Sequence, residues 1–351
     1  MTALRGGYTT GACAAAAAKA AAMALTGEPA PRAVEITLLD GSRVVFPVAS
    51  CRRDGRAAEA AVLKDAGDDP DVTDGSRIVA RVEFLGRTGV RFGAGAGVGV
   101  VTKPGLSVGP GEPAINPGPR RMIRAAVGEV TQRGVQVTVS IPGGEKLAGH
   151  TFNPRLGIVG GLSVLGTTGR VRPMSVPALC DALRCALDVA KACGVTAPVL
   201  VPGNIGERAA RRHLRLQPEQ VIQVANQWGF MLDHAARSAF DRLLVLGHPG
   251  KLAKLADGQW DTHSSRSTSA VPLVAALAEG VLGPPHPAFA TVEGILSGLP
   301  GPARVRLAEA LAAAVRRAIA LRVGAGTPLS VVLVNMQGDI LGGDGDWSPW
   351  R

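Results

Sequence analysis

Polar and apolar positions fall into two textures along the chain. A stretch of almost unbroken alanine, residues 12–24, follows Thr9-Thr10-Gly11 and ends ahead of Gly27. Hydroxyl side chains at the start and a glycine past the end predict a helix there. With so little side-chain bulk, that helix can lie very close to a neighbour or a ligand. Residues 34–38 and 44–48 alternate around Asp40-Gly41, which predicts a β-hairpin. Strands are predicted at 78–84, 98–102 and 135–139, and a helix at 119–130. After about residue 150, short apolar runs alternate with amphipathic stretches. Strands are predicted at 162–165, 199–201, 221–225, 243–246 and 331–334, and helices at 176–193, 207–214, 231–240, 251–256, 272–282 and 302–322. Such alternation implies right-handed crossovers and a mostly parallel sheet. The expected fold class is α/β: a mixed α+β domain over residues 1–148, then an open α/β domain over 149–351 with a mostly parallel sheet and flanking helices.

Composition narrows the functions open to such a fold. Of 351 residues, 46% are hydrophobic and 19% charged, enough to bury sizeable cores and too apolar for intrinsic disorder. Four Trp, one Tyr and seven Phe leave few stacking platforms for single-stranded nucleic acid. The formal net charge of +10 favours an acidic partner. The basic residues are scattered rather than striped, so a small anionic ligand is preferred to nucleic acid. Five cysteines without a C-x-x-C pair fit free thiols in a reducing cytoplasm. Lys19 interrupts the alanine run, which argues against an export signal, and no stretch reaches the ~18 strongly apolar residues of a membrane span.

Four predicted strands end in polar, glycine-containing loops: Gly166-Thr167-Thr168-Gly169, Pro202-Gly203-Asn204, Asn226-Gln227-Trp228-Gly229 and Gly247-His248-Pro249-Gly250-Lys251. In an open α/β sheet such loops gather at the carboxyl edge, where ligands bind, and the helix starts that follow favour anions. Thr167, Thr168, His248 and Lys251 are therefore expected to converge on one cleft. The last loop lacks the spacing of a nucleotide-hydrolysing phosphate loop. Lys64-Asp65-Ala66-Gly67-Asp68-Asp69-Pro70-Asp71 sets four carboxylates and a lysine around a glycine. It reads either as a solvated turn or as a cation-attracting loop, without EF-hand spacing. The stretch 93–105 is glycine-rich, and its backbone and Lys103 could line an anion, but no helix pattern follows to complete a dinucleotide fingerprint. His248 and His263 are the histidines of interest for catalysis. No third ligand accompanies them, so no protein-bound metal is expected.

Taken in order, Arg5-Gly6-Gly7-Tyr8-Thr9-Thr10-Gly11, the acidic loop 64–71, the stretch 97–106, Glu112-Pro113-Ala114-Ile115-Asn116-Pro117, and the stretches 161–169 and 247–252 resemble the CbiD family, the cobalt-precorrin-5B C(1)-methyltransferases of anaerobic-type cobalamin synthesis. The likeness runs from Arg5 to about His263. It implies methyl transfer from S-adenosylmethionine to carbon 1 of a cobalt corrinoid, with cobalt present only as part of the substrate. Expected partners are that corrinoid, with no nucleic acid and no membrane. The location expected is cytoplasmic, and the oligomeric state is open, a homodimer among the options. A polycarboxylate substrate suits a basic chain. In-line methyl transfer needs alignment more than a strong acid or base, which agrees with the missing catalytic triad. His248 and His263 are the candidate catalytic residues. The candidate cofactor- or substrate-binding positions are Thr9, Thr10, Gly11, Lys64, Asp65, Asp68, Asp69, Thr102, Lys103, Asn116, Thr167, Thr168, His248, Lys251 and His263. One departure stands out, Ala270 where the resemblance implies aspartate. Two other classes remain open on the residues alone: a transferase of a phosphate-bearing ligand that uses the 247–251 loop, and a non-enzymatic protein binding an anion or nucleic acid.

Overall fold

The computed structural model describes residues 4–283, 289–324 and 326–351. The chain divides into two compact units, Met1–Val176 and Pro177–Arg351. The first contains, in chain order, β1 (Gly7–Tyr8), α1 (Thr10–Thr26), β2 (Ala33–Thr37), β3 (Arg43–Pro47), β4 (Ser50–Asp54), β5 (Ala57–Leu63), β6 (Arg77–Phe84), β7 (Val90–Ala94), β8 (Gly97–Val98), β9 (Val100–Val101), α2 (Pro117–Gly128), β10 (Val135–Ser140), α3 (Gly144–Ala148), β11 (Ile158–Val159), β12 (Gly161–Leu162) and β13 (Arg170–Val171). Five of these strands form one sheet in the order β4-β5-β6-β10-β7, antiparallel apart from the β10–β7 pair.

Helix α1 is the centre of this unit. Thr9 caps it, its Oγ1 accepting from the Ala12 amide at 3.3 Å, and Gly27 ends it at φ 100°. Residues 12–18 and 20–22, nine alanines and Cys13, have no exposed surface, so the helix is buried almost all round. It lies on β5 and β6, beside α2. Strand β5 reads Ala-Ala-Glu-Ala-Ala-Val-Leu, a sequence that favours helix when read alone. It is a strand because β4 and β6 pair with both its edges and because small side chains on helix and sheet let the two approach closely. This is why the hydrophobic pattern predicts no strand at 57–63, a gap the structure fills.

The division between units falls at 176/177 rather than at the change of texture near 148/149. Residues beyond 149 return to the first unit as short partners: β11 pairs with β9, β12 with β8 and β13 with β1. The predicted strand at 162–165 is therefore not part of the second sheet, a correction that moves Thr167 and Thr168 into the first unit. These ladders also explain the glycine-rich stretch. Gly97 has φ +74°, and a Cβ there would stand 1.8 Å from the Ile141 carbonyl oxygen, where two chain segments cross.

The second unit runs α4 (Val176–Ala192), β14 (Val199–Val201), α5 (Asn204–His213), β15 (Val221–Gln223), α6 (Trp228–Arg237), β16 (Leu243–Gly247), α7 (Pro249–Ala256), α8 (Val271–Leu282), α9 (Val292–Ser297), α10 (Gly301–Val323), β17 (Leu329–Val334) and β18 (Ile340–Asp344). The sheet order is β15-β14-β16-β17-β18; the first four strands are parallel and β18 is antiparallel. The expected mostly parallel sheet is thus present, with β18 as an added edge strand. Val199, Val201, Leu244, Leu246, Val332 and Val334 pack against α5 and Trp350 on one face. Alternation sends Leu200, Val245, Val331 and Leu333, also fully buried, to the other. Among the described residues no helix is long and apolar enough to cross a membrane.

The α1–sheet contact yields a direct test. Ala16→Leu adds bulk where no space exists, and overpacking of this kind costs about 1–3 kcal/mol. A lower urea midpoint with an unchanged denaturant slope is expected; wild-type stability would show that the interface has slack.

Candidate functional site

In the first unit, three segments meet at the start of α1. The Thr9 amide donates to the Gly169 carbonyl at 3.0 Å, and the Gly11 amide to the Leu165 carbonyl at 3.0 Å. Thr10 Oγ1 accepts from the Leu165 amide at 3.0 Å. Asn116, which precedes α2, is tied to the same segment by its amide on the Val164 carbonyl at 2.9 Å. Thr168 is exposed and lends its Oγ1 to the Arg170 amide at 3.2 Å. Thr9, Thr10, Gly11, Asn116, Thr167 and Thr168 are thus neighbours within one unit. The amides of Gly11 and Ala12 are already spent on Leu165 and Thr9, so this helix start is largely closed to an anion. Thr102 sits at the end of β9, its amide and Oγ1 both on the Gly157 carbonyl at 2.8 and 2.7 Å. The stem of Lys103 lies over Gly157, where a Cβ would come within 2.5 Å of its Cγ.

The acidic loop is a turn whose carboxylates bind its own unit. Asp65 takes the Arg5 guanidinium in two bonds of 2.6 and 2.8 Å, and Arg5 holds its carboxyl down at about 2, far below the ordinary range. Asp68 accepts from the Arg5 amide at 2.6 Å and Asp69 from the Met174 amide at 2.8 Å. Lys64, buried, donates to Asp71 at 2.7 Å, and Asp71 also accepts from Thr73. Burial pushes the Asp71 carboxyl up, but Lys64 and Thr73 outweigh it and hold it below its usual value. Gly67 at φ +71° lets the turn close on the Arg5 carbonyl; a Cβ would lie 2.2 Å from that oxygen. Of the two readings of this loop, the hydrogen bonds favour the turn. Among the described residues no group of three His, Cys, Asp or Glu could hold a metal ion.

The second unit has the geometry of a ligand-binding sheet edge. From β14 the chain moves to β15 on one side and then to β16 on the other, so the strand order reverses between β14 and β16. The loops after these two strands touch there: a Cβ on Gly247 would lie 2.7 Å from Pro202 Cδ. Helix α5 is preceded by Gly203 and has no side-chain cap, and nothing lies within 4 Å of where a Cβ on Gly203 would stand. His248 caps α7 instead. Its Nδ1 accepts from the Gly250 amide at 3.0 Å, which places its proton on Nε2, and that N–H donates to Glu293 at 2.7 Å. Lys251 reaches Asn226 Oδ1, in the loop after β15, at 2.6 Å. Burial, with Lys254 close by, pushes the Lys251 ammonium below its usual value. The Thr262 hydroxyl joins the same Asn226 oxygen at 3.2 Å, and its amide donates to the Asn226 carbonyl at 3.0 Å. His263 follows, exposed, with Nδ1 accepting from the Ser265 hydroxyl at 2.8 Å and its amide on Asp261 at 3.0 Å. Trp228 keeps its indole Nε1 buried without an acceptor among the described residues.

Of the strand-end residues, His248, Lys251 and His263 belong to one unit, linked through Asn226 and Thr262, while Thr167 and Thr168 belong to the other. Both ring nitrogens of His248 are engaged, as a helix cap and as a clasp on α9. Pattern reading missed Asn226, Lys254, Thr262 and Glu293 as individual positions. Lys254 had a visible signal, one helical turn from Lys251; Glu293 had none, because α9 was not predicted. Ala270 is buried at the start of α8, where Ser269 Oγ accepts from the Val271 amide at 3.2 Å, so this helix start engages a hydroxyl without an aspartate at 270.

Comparison with known proteins bears on this chain as a whole. The family model described as CbiD matches residues 1–173. A protein of Syntrophotalea carbinolica named cobalt-precorrin-5B C(1)-methyltransferase is 55% identical over 351 residues, covering 100% of both chains. The Methanocaldococcus jannaschii protein of the same name is 48% identical over 261 residues, 74% of this chain and 72% of that one. The crystal structure of a cobalamin biosynthesis protein (cbiD) from Archaeoglobus fulgidus, 29% identical, covers 75% of this chain and 83% of that one with a TM-score of 0.40.

The Arg5–Asp65 pair predicts a pH dependence. Asp65 is held at about 2 in the folded state, and the unfolded carboxyl titrates near ~3.9. A depressed carboxyl stabilises above the unfolded value and loses that contribution as pH falls through the folded one. Both side chains are more than half exposed, so solvent screens the pair and its contribution at neutral pH is small. Asp65→Asn is expected to lower the melting temperature by about 2–4 °C at pH 7, with the gap from wild type closing between about pH 4 and pH 2. A gap that stays constant across that range would assign Asp65 no electrostatic role.

Proposed function

The chain belongs to the CbiD family, and on that premise we propose that it methylates carbon 1 of cobalt-precorrin-5B with S-adenosylmethionine, giving cobalt-precorrin-6A. The observation that carries this reading is identity of 55% along the entire length of a methyltransferase of that name. The bound donor supplies a methyl group on a positively charged sulfur, which leaves as a neutral thioether while the ring carbon forms its new bond.

The residues at the carboxyl edge of the second sheet fit a donor and a substrate that both carry carboxylates. The amides at the start of α5 have no side-chain cap and open space beside Gly203. Anions gain both hydrogen bonds and a favourable dipole at such a helix start. The buried indole N–H of Trp228, at the start of α6, is a donor still lacking an acceptor among the described residues. His248, clasped by Glu293, holds the 247–251 loop in place at the strand-order reversal. We assign ligand binding to this edge through His248, Lys251 and His263. Thr9, Thr10, Gly11, Thr167 and Thr168 shape the first unit at the start of α1. The chain's contribution to rate on this reading is alignment: a near-attack geometry held by fixed loops contributes several kcal/mol without a general base. Cobalt enters and leaves inside the substrate.

Purified protein, incubated anaerobically with cobalt-precorrin-5B and S-adenosylmethionine, is expected to yield a corrinoid heavier by one methyl group together with S-adenosylhomocysteine. A folded sample that produces neither, with authentic substrate, would overturn the assignment.

A further inference from the structure

Lys251 and Lys254 stand one turn apart on α7, a spacing that puts both side chains on the same side of the helix. Both are partly buried, and both end on neutral oxygens. Lys251 meets Asn226 Oδ1 at 2.6 Å; Lys254 meets Ser267 Oγ at 2.6 Å and the Thr262 carbonyl at 3.5 Å. Among the described residues neither ammonium forms an ion pair. Asp261, the carboxylate whose field Lys251 feels, is committed to Arg266 at 2.7 Å and to the His263 amide. The chain treats its other inward lysines differently. Lys64 has Asp71 at 2.7 Å, and Lys19 is bound to Glu129.

Two like charges drawn partly out of water, close together and with no carboxylate in contact with either, gain from the arrival of an anion. The surroundings suit a planar carboxylate. The Thr262 hydroxyl donates to Asn226 Oδ1 and the Ser267 hydroxyl to the His263 carbonyl at 2.7 Å, so these groups hold the lysines and leave the ammonium protons as the donors. The loop after β15 is held to α7 through Asn226. We propose that Lys251 and Lys254, positioned by Asn226, Thr262 and Ser267, form a carboxylate-binding site for the ligands of the methyl transfer; the proposal rests on the function proposed above. The acetate and propionate arms of the corrinoid and the amino-acid tail of the donor share that chemistry, and the experiment separates them.

Isothermal titration on the full-length protein uses three probes: cobyrinic acid, its heptamethyl ester and S-adenosylhomocysteine. Lys251→Met and Lys254→Met are each expected to weaken one carboxylate ligand about tenfold, the scale of one charge-assisted bond. Binding of the ester should not change, and the salt dependence of the weakened ligand should become shallower. Lys251→Arg and Lys254→Arg keep the charge and should retain most of the affinity. A loss confined to cobyrinic acid assigns the site to the substrate, and a loss confined to S-adenosylhomocysteine assigns it to the donor. Unchanged affinity for both, or an equal loss for the ester, overturns the site. Should the Met variants fail to fold, Lys251→Gln and Lys254→Gln are read against the same three probes, with the same outcomes supporting or overturning the site. Methyl transfer by wild type is scored separately. Transfer without any lysine effect sinks only this site, and a lysine effect without transfer sinks only the proposed activity.

Discussion

Close approach between a helix and a sheet, made possible by missing side-chain volume, is the constraint on which the first unit depends. Alanines fill the centre of α1 and most of β5, and larger residues such as Ile36, Ile78 and Ile123 fill the surrounding core. Because α1 is seated so deeply, its first turn lies inside the unit. There Thr9, Thr10 and Gly11 receive the 165–169 segment through backbone bonds. The acidic loop sits immediately before that turn in space, with Tyr8 donating to the Asp65 carbonyl at 2.8 Å. Threonines and aspartates that look like ligand contacts in the sequence thus have structural work to do first.

The second unit distributes its polar groups differently. Its carboxyl edge carries a helix start with no side-chain cap, an indole N–H without an acceptor and two lysines on neutral partners. Each is a modest cost to the folded chain, and all three belong to helices that follow parallel strands. The uncapped α5 and the lysine-bearing α7 follow β14 and β16, the two strands on either side of the reversal of strand order.

Much of this was legible from local pattern. The Thr9 cap, the Gly27 stop, the hairpin around Asp40-Gly41 and the alternating elements of the second unit all follow from short-range chemistry. What escaped depends on distant partners. Residues 57–63 become a strand only because two neighbours and a helix surround them. The 162–165 segment looked like one more strand of the second sheet, yet Leu162 pairs with Val98 and Val164 with Ile115, both in the first unit. Lys251 was recognisable as a cation at a helix start, whereas its reach to Asn226 depends on how β15 and β16 flank β14. Composition alone left the acidic loop undecided, since nothing local says that Arg5 and Met174 will supply its donors.

Strand β17, Leu-Ser-Val-Val-Leu-Val, is buried along its entire length, and β18 is what lies against its outer side. A six-residue, uncharged, β-branched segment with an open flank is the kind of sequence that recruits other chains into intermolecular sheets. Strand β18 shields that flank with two glycines and a terminal aspartate anchored by Arg316, and the register shift at Leu333/Val334 breaks the regularity of the ladder. The segment 340–344 therefore acts as a guard against self-association, and its loss would show first in solubility.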